Sequence, residues 1–322
     1  MDSKKWFKEA KFGMMVHFGL YSLLGGEWKG KRSNRVAEWA QEIFQIPNAE
    51  YENLTKAFNP IYFDAEEHVL LAKEAGMKYL VVTAKHHEGF ALYHSKVDKY
   101  NVVDATPFKR DIIQEYAEAC RKHGLKLGLY YSQEMDWHER NAGGRIWPPD
   151  ENLTETVYWE NHWDFPYENK DFSQYFHDKV LPQVEELLTN YGDIFLMWFD
   201  NPWTITPEQS TELFNLVKKL QPDCLVNSRI GNGLGDYSSL KDNDYTDEDM
   251  GDKLVECPAT LNNTWGYKSY DANWKDAKRV LQLKEHLNSR GINYLLNIGP
   301  DHLGRIPAPA CDILNEIGKS LK

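Results

Sequence analysis

The chain has only four cysteines, Cys120, Cys224, Cys257 and Cys311, set far apart and without a CxxC pair. That spacing argues against zinc-thiolate or redox chemistry and leaves reduced, mostly buried thiols. Long apolar runs are missing too: no stretch of 18 apolar residues occurs, so nothing reads as a membrane-spanning helix. The N-terminal MDSKKWFKEAKFG lacks the apolar core of a secretory signal, which makes the cytoplasm the expected compartment. The glycosylation patterns at Asn53, Asn152 and Asn262 are then expected to be coincidental. Positive charge is scarce, with 37 Lys and Arg against 49 Asp and Glu and a net charge of −12. A nucleic acid or an anionic membrane needs a dense basic surface, so neither is an expected partner. A glycine-rich phosphate loop is absent, which weakens a doubly wound nucleotide binder. HxH and HExxH are absent as well, which makes a metal-dependent barrel hydrolase a minority alternative.

What is present is alternation. Short apolar runs recur at 12–19 (FGMMVHFG), 79–86, 126–133, 193–200, 224–229, 254–262 and 294–300. Most are apolar on both alternating faces, as strands buried on both sides of a parallel sheet are. Helical periodicity fills the intervals, at 65–76 after a capping Asp64, at 110–124 ending in Gly124, and at 175–192 with a kink or restart at Pro182. Further helical patterns cover 207–220, 277–291 and 309–321. The expected fold is α/β, a (β/α)8 TIM-like barrel with some irregular or missing helices, occupying 1–322 as one catalytic domain. Seven strands are clear, and an eighth is to be sought in 232–252 or 20–60.

Polar side chains gather where these strands end, which in barrels is the functional face. Asp200 closes the most apolar strand, in LMWFD, and must be paired, hydrogen-bonded or reactive there; a loop or helix-cap aspartate is the equal alternative. Glu256 lies between Val255 and Cys257, where desolvation favours its protonated form, as a general acid requires; a salt-bridged strand glutamate is the plainer reading. Adjacent His86 and His87 point to opposite faces of a strand and seldom share one ion, so neutral imidazoles bonding to hydroxyls fit better than a metal. His17 is open between core and ligand roles. Glu38-Trp39 and Glu27-Trp28 each place an acid beside an aromatic ring, and Arg229 offers a fork for a hydroxyl or a carboxylate.

Taken in order, WFKEAKFGMMVHFGLYS, KHHEGF, GLYYS…DW, WFD, VNSR, VECPATLNNTWGY and GINYLLNIGPDHLGRIP resemble the catalytic domain of the glycoside hydrolase family 29 α-L-fucosidases nearly end to end. The resemblance implies an exo-acting, retaining hydrolase of terminal α-L-fucose that uses no metal and no organic cofactor. It implies Asp200 as nucleophile and Glu256 as acid/base, with a fucose pocket of His17, Glu38, Trp39, His86, His87, Tyr130, Trp198, Arg229 and Trp265. The implied partner is a fucosylated oligosaccharide or glycoside. Many relatives continue into a C-terminal β-sandwich that is not expected here, which makes a homo-oligomer plausible. A fucose-binding protein without turnover is the rival of another class. The polar stretches 135–170 and 232–252 are expected to set aglycone preference.

Overall fold

The computed structural model describes residues 2–144, 146–147, 157–158, 160–166 and 169–321. The Asn152 sequon and part of the 135–170 stretch lie outside them. Eight parallel strands make one sheet: β1 (Phe12–Val16), β2 (Tyr79–Lys85), β3 (Lys126–Tyr131), β4 (Leu196–Phe199), β5 (Leu225–Val226), β6 (Ser238–Ser239), β7 (Val255–Thr260) and β8 (Ile292–Ile298). Each pairs with its neighbour in sequence, β8 pairs with β1, and an isolated parallel bridge between Asn227 and Tyr237 joins β5 to β6. The sheet therefore curls on itself. The eighth strand is the two-residue β6, inside the polar 232–252 stretch, and it is too short and too polar to carry an apolar signature.

Among the described residues, seven helices of eight residues or more pack against this sheet: α1 (Ser3–Ala10), α2 (Ala65–Glu74), α3 (Ile112–His123), α4 (Leu181–Asn190), α5 (Pro207–Leu220), α6 (Ala277–Asn288) and α7 (Ala308–Ser320). Their starts are chemically specified. Asp64 caps α2 by accepting from the backbone of Glu66 and Glu67, and Thr206 with Gln209 forms a capping box on α5. A π-turn at Phe176–Val180 runs directly into α4, with the Leu181 N–H bonded back to the Phe176 carbonyl, and Pro182 stands just after it. Among the described residues no α-helix stands between β5 and β6, where a 3₁₀ turn at Ser228–Ile230 lies, or between β6 and β7.

Two cores result. A large shell of aliphatic and aromatic side chains lies between strands and helices, and a smaller cluster fills the sheet interior with Met15, Tyr79, Tyr130, Trp198 and Leu295. Phe7 of α1 closes the end at which the strands begin, its ring 4.6 Å from that of Tyr237 and 6.2 Å from that of Tyr79. The opposite end stays open. The four cysteines are free thiols, three of them buried.

Candidate active site

At the open end, a cavity of about 240 Å³ lies over the carboxyl ends of the strands. His17 follows β1, His86 and His87 follow β2, Tyr130 lies near the end of β3, and Trp198 and Asp200 come from β4 and the residue after it. Arg229 stands in a 3₁₀ turn after β5, and Trp265 comes from the loop after β7. All of them line the cavity, together with Glu38 and Trp39. Asn201, Asp242, Val36 and Met15 complete the wall.

Asp200 is the most constrained acid in the cavity. Arg229 Nη1 donates to its Oδ1 at 2.9 Å, while Tyr130 Oη and Asn201 Nδ2 donate to Oδ2 at 3.0 and 3.3 Å. Its backbone N–H is held by Gln133 Oε1 at 2.9 Å. Burial raises its pKa above the ordinary aspartate value, and the Arg229 charge pulls it back. The loop-aspartate alternative does not describe this position: both oxygens are aimed by donors and the carboxylate faces the cavity.

Besides Asp200 and Glu38, a third carboxylate, Asp242, stands on the cavity wall. Arg229 Nη2 donates to its Oδ1 at 2.6 Å, so one guanidinium bridges Asp200 and Asp242 while stacking 4.7 Å from the Trp198 ring. The next residue, Asn243, clamps the loop to β7: its N–H donates to the Pro258 carbonyl and its Oδ1 accepts from the Thr260 N–H. Asp242 sits in SLKDNDYTDED, an acidic stretch without periodicity, and nothing in the local sequence singles it out from its neighbours.

Glu256 requires a correction. It does not line the cavity. It lies second in β7, toward the end where the strands begin, is fully buried, and accepts from Tyr79 Oη at 2.6 Å and Trp198 Nε1 at 3.0 Å. Burial lifts its pKa to about 7, as the sequence suggested, but both oxygens are engaged inside the sheet and no leaving group can reach them. Its position supports Trp198 from behind. The acid/base role therefore has no geometric support at Glu256.

The two acid–aromatic pairs are also resolved. Glu38 and Trp39 are at the cavity, whereas Glu27 and Trp28 form a surface hairpin in which Glu27 bonds Arg32 at 3.0 Å. Glu38 Oε2 accepts from the N–H groups of Trp265 and Gly266, at 3.2 and 2.9 Å, and from the Thr264 hydroxyl at 3.2 Å. It thereby fixes the turn that carries the Trp265 ring. Burial raises the Glu38 carboxyl to about 7 against these donors. Trp39 packs edge-on to His87 at 5.3 Å, and His86 stacks on Tyr130 at 5.4 Å. Burial lowers the pKa values of His17, His86 and His87, so the rings are neutral near pH 7.

For a metal, the described residues offer one cluster, Asp98, His138 and Glu139, and none of the three lines the cavity. The Lys179 ammonium already bonds Asp98 at 2.6 Å and Glu139 at 3.0 Å. A small cavity with flat aromatic walls, neutral imidazoles and two carboxylates linked by one arginine suits a neutral polyhydroxylated ring whose bond to a leaving oxygen is to be cut.

Comparison with known proteins agrees. The Alpha-L-fucosidase family profile matches residues 1–322. The tissue alpha-L-fucosidase of Rattus norvegicus is 30% identical over 346 residues, covering 100% of this chain and 69% of that protein. The structure of alpha-L-fucosidase AlfC from Lactobacillus casei in complex with α-L-fucose product is similar at 53% identity and a TM-score of 0.93, covering 100% of this chain and 98% of that one. A variant of AlfC in complex with Fucα(1,6)GlcNAc is similar at 53% identity and a TM-score of 0.91, covering 99% and 98%.

Proposed function

Because this chain belongs to the α-L-fucosidase family, we propose that it hydrolyses terminal α-L-fucose with retention, through a covalent fucosyl–enzyme intermediate, with Asp200 as nucleophile and Asp242 as acid/base. The observation that carries this assignment is the Arg229 bridge, which aims Asp200 and holds Asp242 beside it, whereas Glu38, the third acid at the cavity, is committed to the turn at 264–266. In the first step an Asp200 oxygen attacks the anomeric carbon, the glycosidic C–O bond breaks, and Asp242 gives its proton to the departing oxygen. In the second, ionised Asp242 takes a proton from water. That water attacks the anomeric carbon, and the bond to Asp200 breaks.

The cavity is small enough for one monosaccharide ring, which supports exo action. Trp265 and the imidazoles supply an apolar face and hydroxyl partners for fucose. The AlfC variant complex supports α1,6-linked fucose on N-acetylglucosamine as a substrate for this chain also. The free thiols fit a reducing compartment, which supports the cytoplasm as its site of action.

The test is hydrolysis of an aryl α-L-fucoside in methanol–water, with the first methyl fucoside read by NMR. The α-anomer is expected, and a β-anomer would replace retention by inversion. No turnover of aryl or α1,6-linked fucosides by the native protein would favour the fucose-binding alternative.

A further inference from the structure

We infer that Ser132 and Asn297 are positioning residues that lock His87 and His17 as Nδ1–H tautomers, leaving both Nε2 atoms as acceptors, that of His17 for a hydroxyl of the sugar and that of His87 for the Asn201 amide or for a sugar hydroxyl that takes its place; the sugar part of this rests on the fucosidase reading above. The donors and acceptors can be counted. A serine hydroxyl has one proton, and that of Ser132 goes to the Met135 carbonyl oxygen at 2.7 Å. The Ser132 oxygen can then only accept from His87 Nδ1, 2.7 Å away, so that nitrogen carries a hydrogen. His87 Nε2 is left as a lone pair. The Asn201 amide nitrogen, a donor, approaches it at 3.2 Å, nearer than the Asp200 carboxylate oxygen at 3.8 Å, which is beyond hydrogen-bond distance. The Tyr130 hydroxyl, also nearby at 3.5 Å, gives its proton to Asp200 at 3.0 Å.

Asn297, near the end of β8, does the same for His17 by a different route. Its Nδ2 donates to the Trp265 carbonyl oxygen at 2.7 Å, which orients the amide. A flipped amide would set oxygen against oxygen. Oδ1 therefore faces His17 Nδ1, at 2.7 Å, and requires an N–H there. The nitrogen His17 has left is Nε2, on a ring that lines the cavity. Ser132 and Asn297 are themselves fully buried and neither lines the cavity, so they act through the histidines and not on the sugar. Burial holds both imidazoles neutral, His17 at a pKa of about 4, so the pattern persists at pH 7.

A hydroxyl that meets either Nε2 has to donate its proton. A fluorine or a methyl ether in its place cannot; it leaves the His17 acceptor unpaired, and it cannot replace the Asn201 amide at His87. The two rings thus form a polarity filter set by residues outside the cavity.

The experiment is a long-range ¹H–¹⁵N correlation on ¹⁵N-histidine-labelled, unliganded protein at pH 7, assigned with His17→Gln and His87→Gln. Both rings are expected to show the Nδ1–H pattern. An Nε2–H or doubly protonated pattern in the native protein overturns the inference whether or not the protein hydrolyses fucosides. In Ser132→Ala the pattern of His87 alone should change, KM for an aryl fucoside should rise about 10-fold with a smaller effect on kcat, and Ser132→Thr should restore both. Asn297→Ala should change His17 alone. An unchanged ring in either variant overturns the role of the residue replaced.

Discussion

Arg229 Nη1 lies 2.9 Å from Asp200 Oδ1, and this contact opposes the effect of burial on the Asp200 carboxyl. Burial alone drives the Asp200 carboxyl toward protonation, and the guanidinium opposes it. Replacing Arg229 by Gln removes the opposing charge, so Asp200 holds its proton to higher pH. The acid limb of the kcat/KM profile should shift upward in pH, together with a loss of activity. An unmoved limb would assign that limb to another group.

Asp200→Ala should lower turnover on the order of 10⁴-fold while keeping fucose binding measurable by calorimetry, since the other cavity side chains remain. Loss of binding along with turnover would point instead to a collapsed site.

Asp242 and Glu256 can be separated by leaving group. Without its acid, Asp242→Ala should lose far more activity on a sugar aglycone than on a 4-nitrophenyl fucoside, whose leaving group needs little protonation. Glu256→Gln should affect both substrates alike, through Trp198. The reverse pattern would restore Glu256 as acid/base.

Glu256 also makes a stability prediction. Its folded pKa, about 7, lies above the ordinary glutamate value of 4.5, so its contribution is fully present below 4.5 and is lost as pH rises through 7. The neutral Glu256→Gln variant avoids that loss. Measured by denaturant unfolding, its stability relative to the native chain should therefore improve between pH 5 and pH 8, by about 1.4 kcal/mol per unit of effective shift. A constant difference across that range would mean that Glu256 titrates normally.

Gly299, just after β8, touches the back of the Trp265 turn. A Cβ there would stand 2.6 Å from Tyr267 N and 2.7 Å from the Trp265 carbonyl oxygen, which are backbone atoms that cannot rotate aside. Gly299→Ala should displace Trp265 and raise KM by about 10-fold or more, with the fold retained by circular dichroism. A native KM would show that the turn yields without moving the ring.

By itself the sequence determined the elements and most of the cavity wall. Buried parallel strands need apolar residues on both faces, helices need caps, and both leave local patterns; Asp64, Gly124 and the LMWFD strand are examples. The polar residue that ends each such strand was legible for the same reason, which is why His17, His86, His87, Asp200 and Arg229 were all identifiable. Depth and partnership were left to the tertiary structure. Glu256 and Asp200 look alike as acids beside apolar strands, but Glu256 is second in its strand and falls inside the sheet, whereas Asp200 follows its strand and reaches the open end. Asp242 lies in a polar loop whose composition specifies nothing, and it becomes a cavity residue because Asn243 clamps that loop to β7 and Arg229 reaches it from another turn. Glu38 prevails over Glu27 for a similar reason, because its partners are backbone N–H groups 227 and 228 residues away. Contacts between such distant segments leave no periodicity in either one, so only the folded chain can bring them together.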